Sequence, residues 1–245
     1  MAVLICPVKP GDHNEELRYS LRSWDANLLP GEDKFLVVVG DCPSWVKPDH
    51  FIKGNHTRLM DRVVFENVLL GAEYAVHQGL SEIIVMNDDM FCLDPVTDVP
   101  KVRRNISLKA HAGKVRGGSW WSQSLDSTVK LAELWGRPDA SSYEVHRPLV
   151  AASEEFVAAL NAMRDHVDVD GDEVLGRGAF PQWRTAFGLH RTGRDKEYIP
   201  VRDVKVSGNS NPRVGSPWIS TDDSSWRYLG PAIRKRFQNP SRWEK

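Results

Sequence analysis

Three short apolar runs constrain this chain more than any other feature. Ala2–Cys6, Phe35–Val39 and Ile83–Met86 are rich in β-branched and aliphatic side chains, and each stops abruptly. Runs of that length and composition predict strands buried on both faces. Pro7 and Pro10-Gly11 close the first, Gly40-Asp41 the second, and Asn87-Asp88-Asp89 the third. Two segments with helical spacing lie between them. Asn14–Trp24 carries Leu17, Leu21 and Trp24 four and three apart, with Asp12 or Asn14 as cap. Val64–His77 carries Val64, Val68, Ala72 and Ala75-Val76, and Gly79 ends it. Strands alternating with helices predict an α/β fold, its mostly parallel central sheet flanked by helices. Ligands of such sheets bind beyond the carboxyl ends of the strands. Pro7-Val8-Lys9, Gly40-Asp41 and Asn87-Asp88-Asp89 are therefore expected to line one crevice.

The second half is less regular. Ser127–Trp135 and Glu154–Ala162 read as helices, and the remainder is rich in Gly, Pro, Ser, Asn, Trp and Arg. A loop-rich half of an enzyme usually shapes the acceptor side of a site. With 245 residues, 41% of them apolar, the chain is expected to form a single domain, with a ligand-binding half in residues 1–100 and a loop-rich half in 101–245.

Net charge is −1, so no global field points to nucleic acid or a membrane. A local exception is the basic, aromatic-flanked tail Ile233-Arg234-Lys235-Arg236-Phe237 with Arg242. It could meet a phosphate backbone, although such a run is more often a solvated helix end. No run approaches the roughly 18 apolar residues of a membrane span, and the first run is too short for a secretory leader. The protein is read as cytoplasmic. Cys6, Cys42 and Cys92 are odd in number and widely spaced, as for small buried hydrophobes in a reducing compartment. Trp120-Trp121, Trp183, Trp218, Trp226 and Trp243 stand in polar surroundings, where they can pack or stack on a sugar or base.

The acidic segment carries the chemistry. Two adjacent carboxylates at the end of a buried strand are costly unless positive charge sits beside them. Mg²⁺ or Mn²⁺ supplies that charge through one or two carboxylates plus substrate phosphates, and neutralises a diphosphate leaving group. A polar turn is the plain alternative for Asp88 and Asp89. Arg18 and Arg22 share a helix face from which an arginine could hold diphosphate. His146 is a candidate base or late metal ligand. Glu154 could be a base, or could simply favour a helix dipole, and Asp222 could be an acceptor-side carboxylate or a helix cap. Asp168, Asp170 and Asp172 alternate but lack the glutamate of a calcium loop.

The order of these segments resembles the Stealth family of sugar-phosphate transferases. Asn14-Glu15-Glu16-Leu17-Arg18-Tyr19-Ser20-Leu21-Arg22-Ser23 resembles the family's opening motif, and Pro43-Ser44-Trp45-Val46 its next landmark. Leu80 to Phe91 resembles the second block, whose paired aspartates act in donor and metal binding, and Tyr143–Pro148 a third block with a His-x-Pro pattern. The resemblance spans residues 1 to about 155. It implies a GT-A-like (nucleotide-diphospho-sugar transferase) fold and a nucleotide-sugar donor. Mn²⁺ or Mg²⁺ would sit at Asp89 and Asp88, and the donor at Pro7, Lys9, Arg18, Asp41 and Asp88. His146, Glu154 and Asp222 are the catalytic candidates. The chain is shorter than typical members and lacks a clear fourth block, so the transferred group is either a sugar or a sugar phosphate. Trp218–Trp226 and Phe237–Glu244 resemble bacteriophage-encoded glycosyltransferases. That implies a hydroxymethylated pyrimidine in DNA, or a virion protein, as acceptor. A non-catalytic module binding carbohydrate or nucleic acid is the reading from another class.

Overall fold

The computed structural model describes residues 1–11, 13–54, 60–115, 118–169, 179–191, 197–208 and 215–245. Asp12 as an alternative cap, and the alternation of Asp168, Asp170 and Asp172, fall outside the described residues and side chains. The three apolar runs form β1 (Ala2–Val8), β2 (Lys34–Gly40) and β4 (Glu82–Val85). With β3 (His50–Lys53) and β7 (Leu149–Ala152) they make a five-stranded sheet in the order β3-β2-β1-β4-β7. Every pairing is parallel except β4 with β7. The strand order reverses between β1 and β4, which places a crevice at their carboxyl ends.

Alternate residues of each strand face opposite layers. Val3, Ile5, Val37, Val39, Ile83 and Val85 point to one side. There they pack on α2 (Met60–His77), α5 (Ser153–Val169) and α6 (Trp183–His190) through Phe65, Val68, Phe156, Leu160 and Phe187. Leu4, Cys6, Val8, Leu36, Val38 and Ile84 point to the other side, against Leu17, Leu21 and Trp24 of α1 (Glu15–Asn27) and against Trp218 and Trp243. The result is a mixed α/β fold with a mostly parallel sheet covered on both faces.

Local chemistry sets the helix ends. Asn14 caps α1 by accepting the Leu17 N–H at 3.1 Å, with Glu15 and Glu16 in the first turn. Gly79, at φ +68°, lets the chain leave α2, and the Leu80 N–H returns to the Ala75 carbonyl at 2.9 Å.

The second half is more regular than its composition implies. It contains α3 (Leu108–Lys114), α4 (Trp120–Leu134) and α7 (Asp223–Arg236) besides α5 and α6. The α4 helix starts seven residues before the expected Ser127, because Ser119 caps it through the Ser122 N–H at 3.3 Å. Two small ribbons, β5 (Met90–Cys92) with β9 (Trp218–Ser220) and β6 (Val102–Arg104) with β8 (Ile199–Val201), are too short to leave a periodic signal. The two halves interleave. β7 joins the central sheet, and the C-terminal segment returns to the first half. There Lys47 N–H donates to Trp243 O at 2.7 Å, Lys245 N–H to Trp45 O at 2.9 Å, and the buried Trp243 indole to Asp49 at 3.0 Å. Among the described residues, no helix is long and apolar enough to cross a membrane.

Candidate active site

The hydrogen bond from Met86 N–H to Ile5 O, 2.8 Å, carries the β4 pairing one residue past the strand. Asn87-Asp88-Asp89 then turn into β5. Asp88 is held from α1: Asn14 Nδ2 donates to its Oδ2 at 2.9 Å, and the Ser20 hydroxyl donates to its carbonyl at 2.8 Å. Asp89 Oδ2 accepts the Ser220 hydroxyl at 3.2 Å, and its carbonyl accepts the Thr221 N–H at 3.2 Å. Asp89 Oδ1 and Asn87 Oδ1 are buried and accept nothing.

This pocket is short of positive charge. Burial and then the charge of Asp89 push the Asp88 carboxyl up to about 6, against the Asn14 hydrogen bond and the charge of Lys9. Glu16 of α1 is also raised, by burial first and then by Asp89 and Asp88, although Thr221 donates to it at 2.6 Å. Burial and the same two aspartates push the Cys6 thiol up.

Asp89 and Asn87 open onto a cavity of about 730 Å³ whose other walls carry Arg104, His146, Arg184 and Asp203. His146 Nδ1 lies 2.8 Å from Asp203 Oδ2, and Arg104 donates to that same oxygen. Burial alone would raise Asp203. The hydrogen bonds and charge of His146, with the charge of Arg104, outweigh it and hold the carboxyl well below the usual range. Glu144 is buried and pushed up by burial. It accepts Thr185 N–H at 3.0 Å and the Thr185 hydroxyl at 2.9 Å. Arg184 is only 4% exposed; Nη1 donates to Arg147 O at 2.8 Å, while Nη2 is buried without a partner. Burial lowers its pKa, yet a guanidinium remains charged at neutral pH. His111, 2.9 Å from the Ser142 hydroxyl, is pushed down to about 4 by burial and then by Arg104, so it stays neutral. Trp120 also lines the cavity while 59% exposed, with the Trp121 ring edge-on at 5.8 Å.

No protein-family model matches this chain, and no curated protein sequence resembles it significantly. Geometry and chemistry therefore carry the functional argument.

The structure sorts the candidate residues. Pro7 and Lys9 lie at the end of β1, and Asp41 at the end of β2. The Asp41 N–H bonds Val8 O at 3.1 Å, and its carboxylate accepts the Gly11 N–H at 3.2 Å. These residues sit at the carboxyl ends of neighbouring strands, but of the expected crevice only Asn87 and Asp89 line the cavity; Pro7, Lys9, Asp41 and Asp88 do not. His146 shares the cavity with Asp89. Arg18 turns elsewhere: its guanidinium stands 4.4 Å from the Trp45 ring centre, with Nε 3.5 Å from Glu244. Asp222 caps α7, accepting Ser224 N–H at 3.1 Å and Ser225 N–H at 2.9 Å in a capping box. Glu154 is exposed at the opposite end of the sheet, where Ser153 N–H meets Ser81 O at 3.0 Å. Asp88 lies six positions after Glu82, roughly 20 Å of extended chain.

The basic tail is internally paired. Arg234 meets Glu15 at 3.0 Å, Arg236 meets Asp94 at 2.7 Å, and Arg242 approaches Asp25 at 3.5 Å. Asp203, Arg184, Arg104, Glu144 and Glu16 were not singled out in the sequence. Glu16 lies inside the opening motif and reads there as a helix-start carboxylate. Glu144 lies inside the block Tyr143–Pro148, beside His146, and Asp203, Arg184 and Arg104 come from segments without a recognisable pattern.

Among the described residues, no three His, Cys, Asp or Glu side chains form a ready-made metal cage. Mg²⁺ and Mn²⁺ need none, because one or two carboxylates plus substrate phosphates and water complete their shell. The unpartnered Asp89 Oδ1 and the raised Asp88 are the groups such an ion would satisfy.

Proposed function

We propose that this chain is a divalent-metal-dependent glycosyltransferase, with a GT-A-like fold, that moves a sugar from a nucleotide-sugar donor to an acceptor hydroxyl. One observation carries the reading. Asp89, at the switch point of a mostly parallel sheet, keeps one buried carboxylate oxygen without a partner and lines a cavity that also holds a histidine–aspartate pair. The ordered motifs of the first 155 residues support it.

In this reading the nucleotide lies along the ends of β1 and β2, by Pro7, Lys9 and Asp41. Asp89 and Asp88 would hold Mn²⁺ or Mg²⁺, which supplies Lewis-acid neutralisation of the leaving diphosphate. His146 Nε2 takes the proton of the acceptor hydroxyl. The acceptor oxygen bonds to the anomeric carbon as the bond from that carbon to the diphosphate breaks, and the nucleoside diphosphate leaves with the electron pair. Arg184 offers a fixed positive charge to the negative groups in the cavity.

A second reading moves a sugar-1-phosphate. The unpartnered Nη2 of Arg184 favours it, because a desolvated guanidinium near the base suits a phosphoryl group under attack. The acceptor oxygen then bonds to phosphorus, and a nucleoside monophosphate leaves.

Paired arginines in the tail remove much of the motive for a DNA acceptor, so DNA and protein acceptors are tested side by side. Purified protein with Mn²⁺ is given a panel of nucleotide sugars with hydroxymethylated DNA, unmodified DNA or protein acceptors. Release of nucleoside diphosphate with a one-sugar mass gain supports glycosyl transfer. Release of monophosphate with a sugar-phosphate gain supports the second reading. Ligand binding without consumption of any donor would count against both.

A further inference from the structure

Asp203 lies two residues past β8, whose last residue, Val201, pairs with Arg104 at the end of β6. Its carboxylate is saturated with donors. Oδ1 accepts the backbone N–H groups of His146 at 2.9 Å, Val204 at 2.8 Å and Lys205 at 3.3 Å. Oδ2 accepts from Arg104. The His146 ring nitrogen Nδ1 sits 3.0 Å from Oδ1 and 2.8 Å from Oδ2. One carboxylate thus grips both the backbone and the ring of the same histidine, and is itself fixed by its own loop and by Arg104. The carboxylate cannot rotate without breaking several bonds, and the ring cannot rotate without losing its contact with the carboxylate.

The chemistry of the pair then decides the proton. An ionised carboxylate only accepts, and a neutral imidazole carries one donor nitrogen and one acceptor. Nδ1 must therefore donate, which leaves the lone pair on Nε2. We propose that Asp203 is a positioning residue that locks His146 in the tautomer with Nδ1 protonated and Nε2 free to accept a proton. Its catalytic consequence rests on the reading of His146 as the base; the tautomer itself does not. The logic matches that of a hydrolase triad, in which a buried aspartate orients the histidine without taking its proton. Arg104 donates to Asp203 Oδ2, and the nearby His111 ring bonds the Ser142 hydroxyl instead.

Nitrogen-15 NMR of the intact histidine-labelled protein tests this at about pH 8.5, where an ordinary imidazole is neutral. The His146 resonances are those lost in His146→Gln. The expected result is a protonated-type signal for Nδ1 and an unprotonated-type signal for Nε2. Asp203→Asn, whose amide can donate to Nδ1, should exchange the two. A wild-type His146 protonated on Nε2 would overturn the proposal even if Asp203→Asn failed to fold. So would a folded Asp203→Asn protein, checked by circular dichroism, that keeps the wild-type tautomer. With a donor that turns over, Asp203→Asn should lower kcat by about 10²–10⁴-fold and leave the donor KM unchanged. The expected tautomers in a protein that consumes no donor would retire the proposed function and leave the positioning role standing.

Discussion

Arg22 of α1 and Glu244, 222 residues apart, form a two-pronged ion pair. Nε lies 2.7 Å from Oε1, and Nη2 lies 2.8 Å from Oε2. The pair ties the helix that carries Asn14 and Glu16 to the last turn of the chain. The two side chains are only 13% and 8% exposed, so removing one partner strands a poorly hydrated charge. Glu244→Ala should lower stability by roughly 1–3 kcal/mol. Each kcal/mol should appear as about 2–4 °C in Tm for a chain of this size. An unchanged thermal midpoint would show that the pair is ornamental.

Asp89→Asn separates function from stability. It removes the charge that helps push Asp88 up, so the metal-free variant should be as stable as wild type or more so. Metal-dependent donor turnover should fall by at least ~10²-fold, the scale on which a lost electrostatic stabiliser acts. Full metal-dependent turnover in the variant would refute the assignment of Asp89.

The carboxylate pair also dictates a pH response. Asp88 stands at about 6 against an ordinary 3.8. A folded-state value above the unfolded one stabilises most below the unfolded value, and that stability is lost as pH rises. The metal-free protein should therefore lose Asp88's contribution, on the order of 2–3 kcal/mol, between about pH 4 and pH 6. Mn²⁺ should restore stability above that window and not below it, because a protonated carboxyl is a poor ligand. Asp203 runs the other way. Its depressed value means that its contribution is present above the ordinary range and lost as acid is added. Denaturation followed across pH, with and without metal, resolves the two.

Gly188 in α6 lies against the ring of the buried Tyr143, and a Cβ there would stand 2.2 Å from Cδ2. Gly188→Ala would normally favour a helix by roughly 1 kcal/mol. Here overpacking should prevail, with a net loss of about 1–3 kcal/mol. The strain should reach Glu144 and Thr185, which pack beside Tyr143. A stabilised variant would contradict this packing.

Trp120 is a large apolar side chain left open at the cavity. Trp120→Ala should change stability by less than about 0.5 kcal/mol. It should raise the acceptor KM by about 5- to 150-fold while donor hydrolysis is unchanged, as for a stacking platform worth roughly 1–3 kcal/mol. Equal loss of both activities would place Trp120 outside acceptor binding.

The sequence by itself determined the centre of the sheet and the position of Asn87-Asp88-Asp89 at a strand end. Buried β-branched runs have few alternatives, and strands joined by single crossover helices favour parallel pairing. The α1 start at Asn14, the α2 stop at Gly79, and Asp88 and Asp89 at a strand end all followed from local patterns. Tertiary structure alone decided which residues share the cavity. Asp203 meets His146 from 57 positions away, and Arg104 meets Asp203 from 99. No periodicity records such distances. It also decided that Asp222 is a cap, that Arg18 turns toward Trp45, that Glu154 stands at the far end of the sheet, and that the basic tail is paired. A charged side chain's role depends on which opposite charge or buried surface the fold brings to it. That depends on the whole packing arrangement rather than on its neighbours in the chain.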